Sequence, residues 1–315
     1  MIWSDLIQRV IFLYLIGLGT LGNTLIFVRH VHTFITGSEK KPIDLIFTHL
    51  AFSNVIIICT SGVRYIATEL HFKNVLGNAG CKTVVYLGRV ARGLSICTTC
   101  LLSMVQAVTI SPRTSLWRKL KPQSALQVLP CLLLLWIVNV LTSSNLIHHI
   151  TAGSSLNRST AGVYDGYCYM LPSRYIVKWL FLSLMTLRDV IFQSLMGWSS
   201  GYMALHLYKH HKNVLYLHSS RIANSASPEI RATWSVLILM TCFLFYYLGD
   251  FILSFYVGSV LTLDSIILNI KIFLVIGYSA LSPFVLLIKD FHLFRCWHTH
   301  WGVEKTDFYN YPSNN

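Results

Sequence analysis

The run from Gly93 to Ile110, GLSICTTCLLSMVQAVTI, contains no charged residue. A helix rising about 1.5 Å per residue needs about 20 apolar residues to cross the hydrocarbon of a bilayer, and this run comes close to that by itself. Arg89 and Arg92 stand just before it, three apart and therefore on one helix face. An arginine at such depth is costly unless it meets protein, water or a partner. The stretch Cys81 to Pro112 therefore predicts the central helix of a membrane bundle. A cysteine opens it, Ser111-Pro112-Arg113 stops it, and two arginines turn toward a cavity.

Six further apolar runs accompany it, and together they predict an all-α membrane protein forming a single seven-transmembrane domain over residues 1–315. The helices are expected at 6–28, 43–63, 81–110, 127–146, 177–207, 234–257 and 265–288, with 289–315 as a short cytoplasmic tail. Charged residues make up 12% of the chain, about half the roughly 25% of a soluble domain. The net charge of +13 lies between the apolar runs rather than in one patch, which is a topology signal and not a nucleic-acid footprint. The first run is too long for the roughly 7–15 residue core of a signal peptide, so it reads as an uncleaved helix.

Arg29, Lys40 and Lys41 follow that first run, whereas Asp5 and Arg9 cancel before it. The positive-inside rule then places the amino terminus outside and the carboxyl terminus inside. Arg113, Arg118, Lys119 and Lys121, with no acid among them, fall on the same inner side. Residues 64–80 read as a short outer loop and 148–176 as a long one. The long loop holds the sequon Asn157-Arg158-Ser159, a glycosylation acceptor on the side the charges assign to the exterior.

Depth along the helices locates a candidate ligand site. Arg89 and Arg92 lie ~12 and ~16 Å below Cys81, Asp250 ~10 Å and Lys271 ~9 Å below the outer ends of their helices, and Arg188-Asp189 at a similar level. Ionisable groups inside a membrane are functional candidates by default, and two readings stand side by side. Arg89, Arg92, Arg188, Asp189, Asp250 and Lys271 line a ligand cavity, or the acids pair with the arginines to hold the bundle. The surplus of basic groups favours a small anionic or hydrogen-bond-accepting ligand. Asn23 and Asn54 read as amides that hydrogen-bond between helices.

Cys81 and Cys168 both fall on the outer side, where disulfides persist, and a bridge between them would pin the long loop over the cavity mouth. Cys97-Thr-Thr-Cys100 lies mid-helix without a second pair, so no metal site follows from it. No catalytic motif, phosphate-binding loop or dinucleotide fingerprint is present in the sequence; the chain reads as a non-enzyme without cofactor or nucleic-acid partner. The segment after Lys289 alternates basic and aromatic residues as an interfacial helix does, and Cys296 within it is a palmitoylation candidate. Pro283 removes a backbone hydrogen bond near the end of the seventh helix and reads as a hinge. A transporter or channel for a small solute is the rival reading; it calls for internal symmetry and midplane helix breaks, neither visible here.

Several stretches carry a resemblance. KPIDLIFTHLAFSN (Lys41 to Asn54), GLSICTTCLLSMVQAVTISPR (Gly93 to Arg113) and YLHSSRIANSASPEIRAT (Tyr216 to Thr233) are similar to signatures of the type-1 vomeronasal receptors, pheromone receptors of the heptahelical G-protein-coupled class. LRDVIFQSLMGWSSGYM, FYYLGDF and SPFVLLIKD resemble that family too. The resemblance implies a multi-pass plasma-membrane receptor of vomeronasal sensory neurons that couples to an inhibitory-type heterotrimeric G protein. It also implies a Cys81–Cys168 bridge and a glycan on Asn157. The chain lacks an Asp-Arg-Tyr triplet at the foot of helix three and a proline in helix six, and Ser282-Pro283-Phe284-Val285-Leu286 replaces Asn-Pro-x-x-Tyr. A small pheromone-like ligand entering between helices three, five, six and seven would shift the bundle between two states. Arg221 and Arg231 would then meet the G protein, and Arg113 would add contact to that partner or to anionic membrane lipid.

Overall fold

The computed structural model describes residues 2–37, 41–69, 77–111, 121–152, 162–165, 168–170, 175–217, 228–259, 267 and 270–286. The helices are α1 (Ile2–Thr36), α2 (Pro42–Glu69), α3 (Gly77–Ile110), α4 (Ala125–Ser143), the single short turn α5 (Asn145–His149), α6 (Tyr175–Leu217), α7 (Pro228–Ser259) and α8 (Ile270–Leu286). Three strands, β1 (Ile150–Ala152), β2 (Gly162–Asp165) and β3 (Cys168–Met170), lie between α5 and α6. By length and composition α1, α2, α3 and α6 can each cross a membrane, as can Ala125–His149, which is α4 with α5. The apolar segments of α7 and α8 are shorter, Leu237–Leu253 and Ile270–Leu286. Seven long helices stand where seven were expected, with bounds that differ by up to about ten residues, the C-terminal end of α3 at Ile110 being as expected.

The displacements have physical reasons. The sequence stretch 64–80 is not all loop: α2 runs on to Glu69 and α3 begins at Gly77, whose φ of 53° only glycine adopts easily. Arg64 stays helical because its guanidinium returns to its own helix. Nε donates to the Thr60 carbonyl and Nη2 to Ser61 Oγ, both at 3.3 Å. The expected loop 148–176 contains a small antiparallel sheet in the order β1-β3-β2. Ile150 pairs with Met170 and Thr151 with Tyr169 on one side of β3; Val163 pairs with Tyr169 on the other. β-branched and aromatic residues at these positions suit a pleated, half-buried surface. Their signal is too short to register against the long apolar runs around them.

α3 is the axis of the bundle. In its apolar window 72% of residues are buried, against 22% across α4 and α5, so the other helices surround it. The outer faces of α1, α4 and α6 carry exposed Leu13, Leu126, Leu134, Ile176 and Trp198, an apolar exterior of the kind lipid covers. Inside, Phe243 stacks on Tyr247 at 4.2 Å and meets Tyr278 edge-on at 4.8 Å, which ties α7 to α8.

Glycines set the closest helix approach. A Cβ on Gly19 would lie 2.8 Å from Ala280 Cα, and one on Gly22 would lie 2.9 Å from Pro283 Cγ, so α1 and α8 nearly touch by backbone. Gly19→Val is therefore expected to push them apart at a cost of about 1–3 kcal/mol, read as a lower melting temperature in detergent. Gly17→Val, with nothing within 4 Å of its Cβ, is expected to leave that temperature unchanged.

Candidate functional site

The end of the bundle where α3 begins is closed by a covalent clamp. Cys81, in the first turns of α3, is bonded to Cys168 at the start of β3, with Cα atoms 5.8 Å apart. Val85, Leu146 and Ile150 bury the bridge. The sheet is thereby fixed across the head of α3, and β1 packs directly on that helix.

Charged side chains form a layer further along α3. Arg92 pairs with Asp250 of α7, and its guanidinium lies over the Tyr247 ring at 5.2 Å. Asp250 is only 1% exposed, whereas the Arg92 side chain keeps 23%. On α6, Arg188 grips its neighbour Asp189 with Nε at 2.9 Å and Nη2 at 2.7 Å, both to Oδ1. Arg188 Nη1 donates to Asn139 Oδ1 of α4 at 2.6 Å. Gly93 makes this possible, because a Cβ there would occupy the space of Asn139 Oδ1 and Arg188 Nη1. Asp189 also lies within electrostatic reach of Arg92, so the two pairs form one layer.

In the structure both acids meet arginines, Asp250 meeting Arg92 and Asp189 meeting Arg188. Arg89, one turn nearer the disulfide, donates to Met185 Sδ at 3.1 Å. Lys271 lies half-buried near the start of α8. Breaking a buried ion pair by removing one partner typically costs about 3–5 kcal/mol, because the survivor is left uncompensated.

Beyond the charged layer a cluster of neutral polar groups centres on Asn54. Asn54 of α2 donates to Asn23 Oδ1 at 3.3 Å and to Ser282 Oγ at 2.9 Å. Its own Oδ1 accepts from Ser95 at 3.0 Å and Ser279 at 3.4 Å. Asn23 Nδ2 donates to the Gly19 and Ser279 carbonyls, each at 2.8 Å. Both donors and both lone-pair directions of Asn54 are used, and α1, α2, α3 and α8 meet at one amide. The expectation that Asn23 bonds between helices is met. Nearby, the indole N–H of Trp136 donates to His49 Nε2 at 2.7 Å. Since indole only donates, the imidazole proton sits on Nδ1 and points to Thr98 Oγ1, 2.8 Å away.

The sequence as a whole has counterparts among known proteins. The profile of the Vomeronasal organ pheromone receptor family matches residues 6–299. Vomeronasal type-1 receptor 46 of Mus musculus is 31% identical over 93% of this chain and 94% of its own length. Vomeronasal type-1 receptor 100 of Rattus norvegicus is 33% identical, over 88% of this chain and 85% of its own. The corresponding values for vomeronasal type-1 receptor 4 of Homo sapiens are 32%, 88% and 92%. The chain belongs to the vomeronasal type-1 receptor family. It is a multi-pass membrane protein.

Of this vomeronasal receptor's other expected site residues, Asn157, Arg113, Arg221 and Cys296 lie outside the described residues. Arg231 falls in the first turns of α7, and its side chain lies outside the description. Pro283 sits inside α8, buried against Gly22. Asn139, Ser95, Ser279, Ser282 and His49 were not singled out in the sequence. Charge depth alone cannot find a neutral partner; an amide or hydroxyl within an apolar run was the available signal.

The receptor's sheet depends on its bridge. Cys81→Ser, Cys168→Ser and the double variant are expected to lose the same stability, about 2–5 kcal/mol, because each removes one shared bond. Melting temperatures of the three purified proteins check this; additive losses would contradict it.

Proposed function

We propose that this receptor is a G-protein-coupled chemosensory receptor of the plasma membrane that takes a small pheromone-like ligand in the disulfide half of its helix bundle. The observation that carries the reading is the buried layer Arg92–Asp250 and Arg188–Asp189 beneath the sheet anchored by Cys81–Cys168. The relatives are named as vomeronasal receptors and the family as pheromone receptors, which supports the same reading. In this proposal the amino terminus and the sheet face the exterior and Asn157 carries a glycan.

A ligand entering beneath the sheet meets Arg89 and Arg92 first, with Arg188, Asp189, Asp250 and Lys271 around them. Arginine presents several donors in a planar fork suited to carbonyl, carboxylate or sulfate oxygens. A ligand that binds one arrangement of the bundle better shifts the population toward it. The inner ends of α6 and α7 then separate and admit an inhibitory-type heterotrimeric G protein, with Arg113, Arg221 and Arg231 supplying charge to that partner or to anionic lipid. Pro283, which cannot donate a backbone hydrogen bond, is the hinge in α8.

Calcium imaging of cells that express the receptor with a promiscuous G protein, against steroids and volatile small molecules, tests the reading. Arg92→Ala and Arg89→Ala receptors at equal surface density are expected to lose about tenfold or more in potency, roughly 1.4 kcal/mol. Wild-type potency in both would remove the ligand site. Pro283→Ala is expected to reduce the maximal response, and an unchanged response rules out the hinge.

A further inference from the structure

We infer that the Arg92–Asp250 pair is a ligand-operated latch between α3 and α7, opened when a hydrogen-bond acceptor on the ligand takes Arg92 away from Asp250. The inference rests on the reading of a ligand site in this half of the bundle, and gives that site its switching element.

The two partners are unequal. Arg92 keeps part of its side chain accessible, rests on the Tyr247 ring and feels the field of Asp189. A guanidinium that turns to a ligand oxygen therefore stays over an aromatic face and beside a carboxylate. Asp250 has none of these alternatives. It is sealed at 1% exposure, and among the described residues Arg92 is the cation it meets. Among the described residues its carboxylate meets no donor other than Arg92. Once Arg92 turns to a ligand, α7 carries a buried anion with no counter-charge. That arrangement is strongly unfavourable while α7 keeps its place, and rotating Asp250 toward water relieves it.

The packing between α3 and the helix that must move is slight. Among the described residues α3 packs extensively on α2 and α6 and only sparingly on α7. On the α7 side the ion pair is thus a large share of what ties the two helices together. By contrast, the Asn54 knot joins α1, α2, α3 and α8 and leaves α7 out. Tyr247, three residues before Asp250, couples any rotation of α7 to Phe243 and Tyr278 through the aromatic stack.

The test needs no ligand. Purified full-length receptors carrying spin labels at the Ile110 end of α3 and the Pro228 end of α7 are compared as wild type, Arg92→Gln, Asp250→Asn, Arg92→Lys and the charge-swapped double variant R92D/D250R. Basal nucleotide exchange on an inhibitory-type G protein is read in parallel. Arg92→Gln and Asp250→Asn are expected to widen the inter-label distance and raise basal exchange on the order of tenfold. Arg92→Lys and the swapped pair, which keep opposite charges at the two positions, are expected to hold the inter-label distance short of that in Arg92→Gln and Asp250→Asn. A widened distance without added exchange keeps the latch and refutes the G-protein reading. Unchanged distances in folded Arg92→Gln and Asp250→Asn receptors overturn the latch. Should those two fail to fold, a folded double variant that lies as far open as an unpaired receptor, or an open Arg92→Lys, overturns it equally.

Discussion

A polar side chain inside a helix bundle surrounded by hydrocarbon has to find its partner within the protein, since water is not there to supply one. The whole interior of this receptor is arranged by that constraint, and α3 is where it is met. Arg89, Arg92, Ser95, Thr98 and Thr99 of α3 reach α6, α7, α2 and α8 in turn through hydrogen bonds or ion pairs. A buried central helix cannot turn its polar residues outward, so each becomes a tie to a neighbouring helix.

The ties are of two kinds, stacked along the axis. Near the disulfide they are ionic, and their geometry depends on absent side chains: Gly93 leaves the space in which Asn139 and Arg188 meet. Around Asn54, further along, they are neutral. Helix association in lipid draws little from the hydrophobic effect and much from close packing and hydrogen bonds. The backbone contact of Gly19 and Gly22 with α8 and the four-helix amide knot are these two contributions at one place.

Much of this was legible in the sequence because its signals were large. Long apolar runs between basic segments specify helices whatever the details of packing, and Arg92, Arg188, Asp189 and Asp250 stand out because charge in such runs is rare. Cys81 and Cys168 could be paired because the runs sorted the cysteines into buried and terminal ones. The pairing of Arg92 with Asp250, rather than with Asp189, is set by helix rotation and tilt, which apolar periodicity leaves undetermined when a helix is apolar nearly all round. Asn139 was invisible for the same reason: one amide among leucines has no direction until α4 is placed against α3. The strands β1 to β3 are three or four residues long, and it is the anchoring of β3 through Cys168 that makes so short a sheet persist.

The contrast between the two polar layers bears on which part of the bundle moves. Every hydrogen-bonding direction of the Asn54 amide is filled, and any displacement of α1, α2, α3 or α8 there loses bonds with no replacement at hand. A fully satisfied network of this sort resists deformation. Asp250 is the opposite case, buried against one cation with no second donor among the described residues, so its place depends on Arg92 alone. Stiffness at the amide and slack at the carboxylate make α7 the natural moving part against α1, α2, α3 and the stretch of α8 before Pro283. The direction of motion follows from the same asymmetry, because only rotation toward solvent offers the carboxylate what it lacks.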